Sequence, residues 1–214
     1  MALSKVNFNS INATPTASKF VTFNSDADGL AAGDVGGALT LISTQTASGS
    51  ATLDFTSGID STYKEYIFKF YNMHPASNGG EFGIGFSIDG GSNYNASKTT
   101  TFFWISHDEA SNDPTFEYRT GQDLANATGF QHIGSSIKGD ADAGASGTLH
   151  LFDPSNTTFV KHFISDVNSM YSSPASVRAM VAGYVNSTSA VNAVSFKMAN
   201  GNTDSGVIKL YGVS

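Results

Sequence analysis

Residues 65–89, EYIFKFYNMHPASNGGEFGIGFSID, decide the fold. Tyr66, Phe68 and Phe70 fall on one side of a period-two pattern, and Glu65, Lys69 and Tyr71 on the other. Farther on, Phe82, Ile84, Phe86 and Ile88 alternate with Glu81, Gly83, Gly85, Ser87 and Asp89. Successive side chains leave a pleated strand on opposite sides, so this alternation marks strands with one buried and one wet face. Between the two runs lies HPASNGG (74–80). Proline fixes φ and lacks a donor, and Asn-Gly-Gly tolerates positive φ, so the chain reverses there. The pattern predicts a long antiparallel hairpin at the centre of an all-β sandwich.

Outward from that stretch, β-prone runs recur between clusters of Gly, Asn, Ser, Asp and Pro. They occupy 39–43, 51–55, 100–105 (TTFFWI, with the only Trp), 130–133, 147–152 (GTLHLF, Leu149 and Leu151 inward), 159–167, 179–185, 194–198 and 207–211. About ten such strands point to an antiparallel β-sandwich or jelly roll. Only 123–127 suggests a helical turn. No repeat or linker splits residues 36–214, which are expected to form one β domain.

Residues 1–35 differ. Val6, Phe8 and Ile11 are followed by Phe20, Val21 and Phe23 and then by the polar run NSDADG (24–29). That is too little apolar surface for a core, so an extended N-terminal arm is expected, lying on its own domain or on a partner subunit. Phe8, Ile11, Phe20 and Phe23 are the candidate anchoring contacts.

Charged residues make up 14% of the 214-residue chain, against roughly 25% in ordinary soluble proteins. Sixteen Phe within 40% apolar residues supply ample core. The net charge of −7, with no Lys/Arg cluster, excludes a nucleic-acid scaffold. Absence of Cys excludes disulfides, thiolate chemistry and Cys-based zinc sites. No run has the length and apolarity of a signal peptide or a spanning helix, so neither secretion by a recognisable signal nor membrane insertion is expected. The five N-x-[ST] sequons, at Asn12, Asn95, Asn126, Asn156 and Asn186, are read as coincidences of an Asn/Ser/Thr-rich composition.

Candidate chemistry is thin. The five histidines, His74, His107, His132, His150 and His162, show no paired zinc spacing. His107-Asp108-Glu109 is the densest ionisable cluster, but three adjacent side chains do not converge on one ion. Asp26/Asp28 and Asp140/Asp142 resemble fragments of calcium loops without the distal Glu. Gly83-Ile84-Gly85 lies inside a strand, where a phosphate-cradling loop has no helix to open. There is no G-x-S-x-G elbow, and eighteen acids give no preferred glycosidase pair. Neither enzyme activity nor a cofactor nor a metal is expected.

Six segments follow in this order: GGALTLISTQTASGSATLDF (36–55), YKEYIFKFYNMHPAS (63–77), DGGSNYN (89–95), TTTFFWISHDEA (99–110), LFDPSNTTFVKHF (151–163) and GNTDSGVIKLYGVS (201–214). Together they resemble a family of virion proteins of tailed phages, marine cyanophages in particular. The SGxIKLYG-type ending is the most distinctive, and residues 1–35 match least. The resemblance implies a jelly roll displayed outside the capsid or tail as a head decoration or fibre-like appendage. It also implies assembly into the virion in the host bacterial cytoplasm, with other virion proteins as partners and a closed homo-oligomer such as a trimer. The alternative is a receptor-binding tip that recognises host-surface polysaccharide through loops 72–80, 89–99 and 106–124.

Overall fold

The structure, a computed structural model, describes residues 19–23, 30–34, 38–112 and 114–214. Two compact units divide the chain, Met1–Ala38 and Leu39–Ser214. In the first, β1 (Lys19–Phe23) and β2 (Leu30–Asp34) pair antiparallel, with Phe23 opposite Leu30. A paired hairpin thus stands in part of the segment expected to be extended. The second strand, LAAGD, has no alternation that would announce it.

The second unit contains β3 (Leu39–Ser50), β4 (Leu53–Phe55), β5 (Glu65–Pro75), β6 (Gly80–Ser87), β7 (Lys98–Asp108), β8 (Thr115–Tyr118) and β9 (Gln131–Ile137), then β10 (Ala145–Phe152), β11 (Lys161–Met170), β12 (Ala175–Val185), β13 (Ala193–Met198) and β14 (Thr203–Val213). They form an eight-stranded sheet, β3-β14-β5-β10-β11-β12-β7-β8, and a four-stranded sheet, β4-β13-β6-β9, packed as a sandwich. The pairs β3·β14, β4·β13, β5·β10 and β6·β9 are nested and antiparallel. One long two-armed ribbon is therefore rolled up, which brings β14 against β5 and β13 against β6. That is the jelly roll. Strands β7–β8 and β11–β12 are insertions in the ribbon, and all four extend the larger sheet beyond β10.

The central pair is not a hairpin. β5 hydrogen-bonds to β10 and β14, and β6 to β13 and β9, so the reversal at 76–79 carries the chain from one sheet to the other. The apolar faces of the two strands meet across the sandwich, with the Phe70 and Phe82 rings 5.2 Å apart and edge-on. A hairpin and a crossing share the same period-two pattern; the distant strands β9, β10, β13 and β14 decide between them. The crossing backbone is satisfied by other loops, Ala76 N–H donating to the Asn202 carbonyl and Gly79 N–H to that of Ile137, both at 2.9 Å. Gly79 sits at φ +78°, as the turn chemistry requires.

The apolar phase of the alternation is buried, but in β6 the phase expected to be wet is covered as well, Gly83, Gly85 and Ser87 being buried and Phe130 lying against both glycines. Tyr66, Phe68, Phe70, Phe82, Ile84, Phe86, Leu149 and Leu151 are all buried. Ile88 is the exception; it lies past the end of β6 and is exposed. Residues 123–127 form no helical turn; Ala127 instead exchanges backbone hydrogen bonds with Lys98. Strand β8 was not evident in the sequence, since its Phe and Tyr follow an Asn-Asp-Pro loop with only four residues of pattern.

Phe196 is the hub of the core. Its ring lies 5.2 Å from Phe68 and Phe70, 5.8 Å from Phe82 and 6.0 Å from Phe55, joining both sheets. Phe196→Ala should destabilise the domain by about 3–5 kcal/mol. Chemical denaturation would show this as a lower midpoint at unchanged slope, and a change below ~1 kcal/mol would contradict the central position of the ring.

Candidate functional site

Two surfaces of the sandwich stand out, and each follows from where the strands depart from a plain alternation. The first lies at one end of the large sheet. Register shifts interrupt β10 between Ala145 and Gly147 and β14 between Thr203 and Val207, both against the last residues of β5. Such bulges re-aim side chains and open the ladder. Gly206, at φ +126°, allows the close approach, since a Cβ there would stand 2.8 Å from the Asn72 carbonyl oxygen. Asn72 itself takes a positive φ of 50°. Its backbone N–H donates to Ser146 Oγ (3.0 Å), and that hydroxyl donates to Asn72 Oδ1 (3.4 Å).

The result is a polar depression of about 430 Å³ lined by Asn72, His74, Asp142, Ser146, Asn168 and Ser205. A second depression of about 340 Å³, lined by His107, Asp108, Glu109 and Ser176, shares Asn168 and Met170 with the first. Together they make one groove rich in amide, hydroxyl, imidazole and carboxylate groups. His74 Nδ1 meets the Ala143 carbonyl at 3.1 Å, so the proton sits on Nδ1 and a neutral ring leaves Nε2 as an acceptor.

The groove unites 72–80 and the start of 106–124, two of the three segments expected to bind polysaccharide, and adds Asp142. The third, 89–99, is elsewhere. There the Asp89 carboxylate accepts from Ser87 Oγ (2.6 Å), Asn93 N–H (2.9 Å) and Asn93 Nδ2 (2.8 Å). These donors hold its pKa down to about 2. Of the calcium-like fragments, Asp140 is paired with Lys138 at 2.8 Å, and Asp26 and Asp28 lie outside the described residues. No group of three or more His, Asp or Glu placed to hold a metal occurs among the described residues.

The second surface is the outer face of the large sheet. One cross-strand row runs Leu41–Tyr211–Ile67–His150–Ile164–Ala182–Thr101, and the next runs Lys209–Lys69–Thr148–Asp166–Met180–Phe103–Tyr118. Leu41, Phe103, Ile105, Phe116, Tyr118 and Ile164 are exposed. Phe103 stacks on Phe116 (5.9 Å) and meets Tyr118 edge-on (5.2 Å). Depressions of about 460 and 220 Å³ flank Ile164 and Ala182, the first walled by Phe152 and Tyr184 and the second by Phe103 and Met180.

Of the candidate anchoring residues, Phe8 and Ile11 lie outside the described residues. Phe20 stands in β1 opposite Gly33, and Phe23 ends β1 with 74% of its surface exposed.

Sequence reasoning missed two buried lysines. Lys98 Nζ donates to the Gly129 carbonyl (2.7 Å), and Lys161 Nζ to those of Phe159 and Ser187 (3.0 Å each). Each pins a loop against the inserted strands. Their inward positions break the alternation of β7 and β11, which was the available signal.

No family model, curated protein or solved structure matches the chain.

Burial holds the Lys98 amine at a pKa of about 8. In the unfolded chain it keeps its proton to about pH 10.4. The unfolded state therefore binds more protons across that window, and stability rises with pH through it. Lys98→Met should lack that component, so the wild-type-minus-variant difference in stability measured by denaturant titration should grow by up to about 3 kcal/mol between pH 7 and 10.5. A pH-independent difference would show that burial does not lower the amine's pKa in the folded state.

Proposed function

We propose that this chain is a non-enzymatic structural protein of a bacteriophage virion, displayed on the particle exterior as a head decoration or fibre-like appendage and held there by its N-terminal unit. The observation that carries this is the division of labour between the units. The jelly roll closes its own core around Phe196. The described residues of the unit before it form a two-stranded pair with Val21, Phe23 and Leu30 exposed. An isolated two-stranded hairpin is marginal in water, so it gains stability when its apolar side chains are covered by a partner. The resemblance over residues 36–214 supports a capsid or tail protein as that partner.

Purified particles of the encoding phage should contain the chain in fixed ratio to the major capsid protein by quantitative mass spectrometry. Phe23→Asp should lower its incorporation by about tenfold or more. Absence of the chain from purified particles would overturn the proposal.

A second reading, a receptor-binding module for host-surface polysaccharide, is favoured by the groove that holds Asn72, His74, Asp142 and Asn168. Sugar hydroxyls are both donors and acceptors, as those groups require. Wild-type protein should then retain on host polysaccharide in affinity electrophoresis, and Asp142→Ala should lose most of that retention. Equal migration with and without polysaccharide would remove this reading.

A further inference from the structure

We infer that the outer face of the eight-stranded sheet is the contact through which two copies of this chain pair. The inference does not rest on the virion reading.

Three observations point to a second copy. Extent is the first. Leu39, Leu41, Tyr71, Phe103, Ile105, Phe116, Tyr118 and Ile164 all belong to outward positions of this sheet and are all exposed. Together they present on the order of 700 Å², near the ~800 Å² that each partner of a standard interface contributes. Typical monomers carry no larger apolar patch than a few hundred Å².

The second is charge. Two chains of net charge −7 repel each other over most of their surfaces. The strands carry on this side the acids Glu65 and Asp166, with Asp204 exposed at the bulged start of β14, and the bases Lys69, Arg178 and Lys209. That is a balance of zero, which leaves the whole −7 on the rest of the chain. The charges are also engaged within the face. Glu65 meets His150 at 2.6 Å, and Arg178 Nε donates to Asp166 at 2.8 Å, with a second guanidinium contact beside it. Lys69 and Lys209 lie over the rings of Tyr211 and Tyr71. Glu65, Asp166 and Arg178 are thus engaged within the face, Lys69 and Lys209 rest on tyrosine rings, and this is the surface on which like-charged copies repel least.

The third is relief. Ile164, half exposed, stands in the middle of its cross-strand row with an apolar depression on either side. Knob and hollows share one face, which is the requirement for an isologous contact around a two-fold axis. This geometry favours a pair of chains at this face over a trimer.

Sedimentation of the full chain from about 1 to about 100 μM tests the inference. A monomer–dimer equilibrium is expected within that range. Ile164→Glu should weaken it by at least about 30-fold while leaving the melting temperature of the monomer unchanged, because the side chain is outside the core. A wild-type chain that stays monomeric throughout, or an Ile164→Glu chain that pairs as well as wild type, overturns the inference. The chain has no cysteine, so Ile164→Cys provides a single reporter for maleimide labelling. Labelling that slows as concentration rises supports a second copy. Labelling that is slow at every concentration means that another part of the same chain covers the face, and overturns it.

Discussion

Everything in this domain depends on β5 and β6 burying their aromatic faces against each other across the sandwich rather than beside each other in one sheet. Phe70 on one strand meets Phe82 on the other, and Phe196 closes the space between them. Once those two strands are in different layers, the rest of the ribbon has no choice. Each remaining arm must pair with its nested partner, and the roll follows.

The insertions then create an asymmetry that the roll alone lacks. Eight strands lie in one layer and four in the other. β9, at the edge of the small sheet, reaches β12 and the start of β7, where Thr100 donates to Gln131, and loops and single side chains cover the rest of their inner faces. Arg119 lies 3.9 Å from the Trp104 ring, Tyr171 meets the same ring edge-on, and Lys98 and Lys161 bind loop carbonyls. A buried ammonium is a costly fastener unless backbone oxygens receive it, which is what both lysines find. On the opposite side the same strands carry Phe103, Ile105 and Ile164 outward, and these define a surface instead of a core. The bulges at the end of β5, β10 and β14 add the polar groove.

Much of this was legible in the residues. Most strand positions and the inward-facing Leu149 and Leu151 follow from period-two alternation and turn chemistry, both local properties. Ile88 and residues 123–127 misled because a pattern continues in sequence after the hydrogen-bonding partner has ended. The candidate surfaces were less legible. His107-Asp108-Glu109 stood out as a cluster, but its neighbours Asn168 and Ser176 come from strands more than fifty residues away. The anchoring residues of the N-terminal unit were chosen for apolarity alone, and of their side chains Phe23 is the one that the structure shows to be exposed.

The sequence by itself determined that the chain is built of strands, which residues of most strands point inward, and that no Cys is present. These are matters of composition and of nearest-neighbour geometry. Only the tertiary structure decided that 65–89 crosses between sheets, that four inserted strands widen one layer, and that exposed apolar side chains from five strands lie on its outer face. The physical reason is that strand pairing is a contest between partners far apart in the chain. An alternating segment states which face it will bury, but not against whom.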